Sequence, residues 1–156
     1  MPGIRRPADA WQIEKKIYIY TEKCVLLLKY NVFKVCKMKS ISVQFSKHKE
    51  YFKGTLSGEL DYYDLVELVD LLYDKAVELG ETRVFLDVSP CEGDVSIVER
   101  FQLAEKLSKK FSMLYRIFIL ERNTRINKML ENSAVNRGLN LLVSDDPEAG
   151  LDWLTG

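Results

Sequence analysis

With one histidine and three cysteines that never form a CxxC pair, the chain offers no grouped His/Cys donors for a metal. It has no GxxxxGK and no GxGxxG, so no glycine loop cradles a nucleotide phosphate. A run of about 18 uncharged apolar residues is also missing. The longest candidate, residues 17–36, is interrupted by Glu22, Lys23, Lys29 and Lys34, which argues against a membrane span. Arg5 and Arg6 are followed by Asp9, Glu14, Lys15 and Lys16 rather than by an apolar stretch, so export is not expected. On that ground Cys24, Cys36 and Cys91 read as reduced thiols of a cytoplasmic protein. Charge of one sign is lacking too: 23 Lys plus Arg stand against 23 Asp plus Glu. At 156 residues with 47% apolar content, the chain suits one globular domain and excludes a collagen, a disulfide scaffold or a wholly disordered polymer.

The neutrality hides a polarity. Residues 1–50 hold 11 basic against 4 acidic side chains, and residues 51–156 hold 12 against 19. The lysines of the first part alternate with Ile17, Tyr18, Ile19, Tyr20, Val25, Leu27, Val32, Phe33 and Val35, the pattern of an edge strand or a sticky extension rather than of a dense phosphate-binding tract. An acidic remainder would repel nucleic acid. Turn and cap signals begin at Met38, so residues 1–37 read as a basic extension outside a domain spanning residues 38–156. Met38 itself is a candidate native start. The extension is expected to add self-association, in its simplest form a homodimer.

From Met38 the elements are punctuated. SISVQFS at residues 40–46 alternates and sets Ile41, Val43 and Phe45 on one face of a strand; Lys47-His48 turns into a second strand at residues 50–56, making a β-hairpin. Asp61 N-caps a helix from Tyr62 to Leu79, with Leu65, Leu68, Val69, Leu72, Ala76 and Leu79 inward and Gly80 as a left-handed C-cap. RVFLDVS at residues 83–89 is a buried strand ended by Pro90. Ser96 and Glu99 form a capping box opening a helix whose inward residues are expected to be Ile97, Phe101, Ala104, Leu107 and Phe111. A strand at residues 114–120, a helix at residues 125–136 ended by Gly138, a strand at residues 139–144 and a helix capped by Asp146-Pro147 complete the chain. This order predicts an α/β fold: a mixed sheet of about five strands with four helices, parallel at its core and extended by the N-terminal β-hairpin.

In such sheets ligands gather outside the carboxyl ends of the strands. That rim collects Cys91, Glu92, Gly93, Asp94 and Ser96 after one strand, Glu121, Arg122 and Asn123 after the next, and Asp145 and Asp146 after the last. A nucleophile with a histidine base would need His48, which falls in the hairpin turn and reads as a solvated turn residue, and the carboxylates of Asp87, Glu92 and Asp94 read as caps of N–H groups. No catalytic residue, metal or cofactor is assigned.

LSGELDYYDL (residues 56–65), RVFLDVSPCEGDVSIVERFQLAE (83–105), RIFIL (116–120), NRGLN (136–140) and DPEAGLDWL (146–154), in that order, resemble the SpoIIAA-like branch of the STAS superfamily, bacterial proteins also grouped with CRAL-TRIO-type lipid-binding folds. The resemblance covers residues 40–154 and implies a STAS-like α/β domain. In the anti-sigma-factor antagonists of this family a strand-end Asp precedes a loop and an Asp-Ser-Ser-Gly motif whose serine is phosphorylated by a partner kinase. Asp87 matches the first Asp, while Asp94 and Ser96 match the second Asp and a serine; Val95 and Ile97 stand where the motif has Ser and Gly. The resemblance implies a non-enzymatic regulatory module that binds a protein partner through a rim of Asp87, Ser89, Asp94, Ser96, Arg100, Arg122 and Asn123. The alternative is a carrier or sensor of a small apolar, lipid-like ligand, which needs a cavity of about 300 Å³ or more.

Overall fold

The computed structural model describes residues 24–25 and 32–156. The remaining residues of the extension, 1–23 and 26–31, lie outside the described part, as does most of the alternating pattern read there. Seven strands form one sheet in chain order: β1 (Cys24–Val25), β2 (Val32–Lys37), β3 (Ile41–Lys47), β4 (Phe52–Gly58), β5 (Arg83–Asp87), β6 (Arg116–Leu120) and β7 (Asn140–Ser144). The first four pair antiparallel and β4 to β7 pair parallel, giving the expected mixed sheet with two strands added from the extension.

The alternation of SISVQFS works as read. Ile41, Val43 and Phe45 are buried on one face, and β3 pairs with β4 from Ile41↔Gly58 to Lys47↔Phe52 around the turn at residues 48–51. At that turn His48 stacks on Tyr51, with ring centroids 4.6 Å apart. β2 continues the ladder on the other side of β3 and buries Cys36. Cys36 is not the free thiol expected: it is disulfide-bonded. Cys91 is free and buried. The cysteines therefore lend no support to a reducing compartment.

Four helices follow: α1 (Tyr62–Leu79), α2 (Ile97–Lys110), α3 (Met129–Val135) and α4 (Pro147–Thr155). Among the described residues, none is long and apolar enough to cross a membrane. The Asp61 carboxylate accepts from Asp64 N, and Gly80 closes α1 in the left-handed conformation, both as the sequence implies. Asp64 adds a tie the sequence hides: buried, its Oδ2 accepts from Ser40 N at 2.7 Å and Ile41 N at 3.0 Å, fastening the start of β3 to the first turn of α1. Ser96 and Glu99 make the capping box of α2, and Asp146 accepts from Glu148 N and Ala149 N ahead of Pro147.

Two helix readings change. Ile97 and Phe101 do not face inward; they are 59% and 43% exposed, and the buried face of α2 is Arg100, Leu103, Ala104 and Leu107. A stripe through Arg100 and Leu103 satisfies the same 3.6-residue period, because the Arg100 guanidinium has a partner at the rim and is tolerated inside. The helix expected at residues 125–136 is split into a 3-10 turn, Asn123–Arg125, and α3, with Lys128 between them at φ 61°.

Helices α1, α2 and α3 cover one sheet face over the main core of Leu68, Leu72, Leu86, Leu103, Ile117 and Ile119. α4 packs on the other face against Phe85 and Phe118, whose rings stack at 4.9 Å. Gly150 makes that approach possible: a Cβ there would sit 2.0 Å from the Phe118 ring. At the end of the sheet, among the described residues, β7 pairs only with β6. On its outer side Val143 N donates to Glu131 Oε2 at 2.7 Å and Val143 O accepts from Lys128 Nζ at 2.8 Å, while Lys128 and Glu131 pair with each other.

Candidate functional site

Three loops meet where the parallel strands end. The loop after β5 is short of regular structure, so its carbonyls need partners from elsewhere. Arg125 supplies them: Nη1 donates to Cys91 O at 2.6 Å and Gly93 O at 3.0 Å, and Nη2 to Val88 O at 3.0 Å. Its Nε donates to Glu121 Oε1 at 2.7 Å, and both side chains are buried. The loop is tied on its other flank by Leu60 N to Glu92 O and Glu92 N to Gly58 O. This buried Glu121–Arg125 pair was not expected as the organiser of the rim. An opposite-charge pair four residues apart was visible, but its carbonyl partners lie more than thirty residues away in the chain.

The predicted rim residues fall into three groups on this frame. In the first, Asp87 Oδ1 accepts from Ser89 N at 3.0 Å and Ser89 Oγ at 2.6 Å, and Lys53 Nζ lies 3.9 Å from the other carboxylate oxygen. Arg122 Nε donates to Ser89 O at 2.6 Å, and its guanidinium pairs with Glu92. Hydrogen bonding and charge from Arg122 hold the exposed Glu92 carboxyl below the usual carboxylate range. In the second, Asp94 pairs with Arg100, whose Nε reaches Val95 O, and Ser96 Oγ accepts from Glu99 N while Ser96 N donates to Glu99 Oε2. Asn123 stands apart, donating to Asp145 Oδ2 at 3.1 Å across to the loop after β7.

Glu92 and Asp94 face outward at the tips of the rim, Arg122 is partly exposed beside Glu92, and Arg100 and Arg125 are buried. Beside the rim lies an exposed apolar step: Ile97, Val98 at 64% and Phe101 on the first turns of α2. Arg137 stacks over the Phe101 ring at 4.6 Å, and Val135 is exposed close by on the chain. Among the described residues no group of three or more His, Cys, Asp and Glu is placed to hold a metal.

Under the rim, between the sheet and helices α1 to α3, is an apolar cavity of about 80 Å³. Leu68, Val69, Leu86, Leu103 and Ile119 are among its walls, and Arg100 and Glu121 are its charged members.

No protein-family model matches the chain, and no curated protein does. Solved structures do. An anti-sigma factor antagonist from Mycobacterium paratuberculosis superposes with a TM-score of 0.55 at 14% identity, over 75% of this chain and 96% of its own. An uncharacterized DUF3478-family protein with a SpoIIAA-like fold from Shewanella loihica PV-4 gives 0.44 at 17% identity, over 76% and 96%. The NMR structure of the protein TM1081 gives 0.43 at 13% identity, over 70% and 86%. At such identities the likeness is one of fold alone: the chain carries a mixed α/β fold similar to that of the anti-sigma factor antagonist.

Proposed function

We propose that the chain is a non-enzymatic regulatory module that docks a protein partner on the rim of Asp87, Ser89, Asp94, Ser96, Arg100, Arg122 and Asn123 together with the first turns of α2. The observation that carries this reading is the apolar step of Ile97, Val98 and Phe101, exposed beside charges that are already ordered by Arg100, Arg122 and Arg125. Apolar side chains ringed by polar ones on a rigid frame are the usual anatomy of an interface core and rim. The shared fold directs the choice of partner to anti-sigma factors, and of compartment to the cytoplasm. Phosphorylation of Ser96 would add a dianion at a helix N-terminus, which favours it, but between Asp94 and Glu99, which oppose it. Ser89 is the second candidate acceptor.

The test is pairwise binding of the full chain against the anti-sigma factors encoded in its own genome. Ile97→Glu with Phe101→Glu should abolish the interaction without unfolding the protein, because both side chains face solvent. A partner that binds this double variant as well as the parent chain overturns the docking face. Equal binding of Ser96→Ala and Ser96→Asp rules out regulation at that serine; the alanine itself should lower stability by about 1 kcal/mol through the lost cap. A lipid carrier is not favoured: the cavity of about 80 Å³ is far smaller than the roughly 300 Å³ such a ligand needs.

A further inference from the structure

The cavity under the rim is too small for a lipid yet is not a featureless packing defect. Its walls are apolar except for Arg100 and Glu121, both buried. Arg100 Nη2 is taken by Asp94 and Nε by Val95 O, and Glu121 Oε1 by Arg122 N and Arg125. Arg100 Nη1 and Glu121 Oε2 make no hydrogen bond among the described residues. No buried side-chain nitrogen or oxygen in the described part lacks a partner, so these two free atoms are open to a water-sized molecule. One is a donor and the other an acceptor.

We propose that the cavity binds a small aliphatic molecule whose head group both accepts and donates a hydrogen bond, a primary amide or an alcohol. Arg100 Nη1 donates to the head-group oxygen, and Glu121 Oε2 accepts its N–H or O–H. The short apolar tail lies among Leu68, Val69, Leu86, Leu103 and Ile119. A water occupies about 10–15 Å³ by the same measure, so about 80 Å³ admits a ligand of about five non-hydrogen atoms. A carboxylate is disfavoured because it brings no proton to Glu121. The site goes beyond the docking rim and does not depend on it, although Arg100 also holds Asp94 and Val95, so occupancy of the cavity is felt directly beneath the rim.

The probes are butyramide, 1-butanol and butyrate, titrated into the full ¹⁵N-labelled chain while the amides of Leu86, Val88, Leu103 and Ile119 are followed by NMR. Butyramide and 1-butanol should shift them saturably with a dissociation constant on the order of 1 mM, the reach of a few buried methylenes and one paired head group. Butyrate should bind at least about ten-fold more weakly. Leu68→Phe, which fills the cavity, should remove the shifts. If that variant does not fold, Leu130→Phe, on the half-buried wall residue of α3, serves the same purpose. Absence of saturation at about fifty-fold higher concentration overturns the site, as do unchanged shifts in the filled variant. Butyrate binding as tightly as butyramide overturns the head-group assignment. Loss of an anti-sigma partner in Ile97→Glu/Phe101→Glu with butyramide binding intact keeps the two readings separate.

Discussion

Cys91 shows how one buried atom group responds to the rim around it. Burial pushes its thiol up from an ordinary value of 9.0 to about 11, with Glu121 and Asp87 adding to the rise and Arg125 and Arg122 opposing it. Because the folded pKa lies above the unfolded one, the stability this thiol contributes is complete below about pH 9 and is lost as the pH rises towards 11. Denaturant unfolding across that range should therefore fall more steeply for the parent chain than for Cys91→Ala; parallel curves would show that the thiol does not titrate as described. Alkylation at neutral pH should be slow, since the thiolate is the nucleophile. Arg125 is the second sensitive residue. Arg125→Met leaves Glu121 buried without its cation and three loop carbonyls without their donor, which should cost about 3–5 kcal/mol. Arg125→Lys should restore little of this, because a single ammonium lacks the planar fork that spans Val88, Cys91 and Gly93. Hydrogen exchange of residues 88–93 reads both effects directly.

At the scale of elements, α4 offers the sharpest test of packing. Gly150→Ala drives a methyl into the Phe118 ring and should cost about 1–3 kcal/mol in chemical denaturation, with Phe118→Leu in the same chain recovering part of it. A neutral Gly150→Ala would mean that α4 shifts freely on the sheet. The ends of these elements were readable because caps are local: Asp61 with Gly80, Ser96 with Glu99, and Asp146 with Pro147 each act within a few residues of the end they close. The inward face of α2 was less readable. Ile97 and Phe101 look like core by hydrophobicity alone, and what displaces them is a buried arginine satisfied by a loop carboxylate. The break at Lys128 carries no glycine or proline to announce it, and its left-handed backbone is stabilised by side-chain ties to Glu131 and Val143. At the candidate site, the residues themselves were legible from their place after the strands. Their division into Asp87–Ser89–Arg122, Asp94–Ser96–Arg100 and Asn123–Asp145 depended on contacts far apart in the chain.

For the molecule as a whole, we propose that the domain folds from Met38, with residues 1–37 adding association and, of the core, the buried Cys36 of β2. Met38 and Ile41 are buried, and the ties of Asp64 to Ser40 N and Ile41 N at the start of β3 involve no residue before Met38. A chain beginning at Met38 should melt cooperatively close to the parent temperature and show less self-association by light scattering. A sharp fall in melting temperature at unchanged oligomeric state would place residues 1–37 in the core.

Such association is constrained by the far end of the sheet. There Lys128 and Glu131 already occupy the carbonyl and N–H that Val143 turns outward. A sheet open at both edges can add copies without end, as fibrils do, whereas one with an occupied edge has a growing end and a dead end. We propose that the Lys128–Glu131 pair beside β7 hinders strand addition at this end and directs any pairing between copies to the other edge.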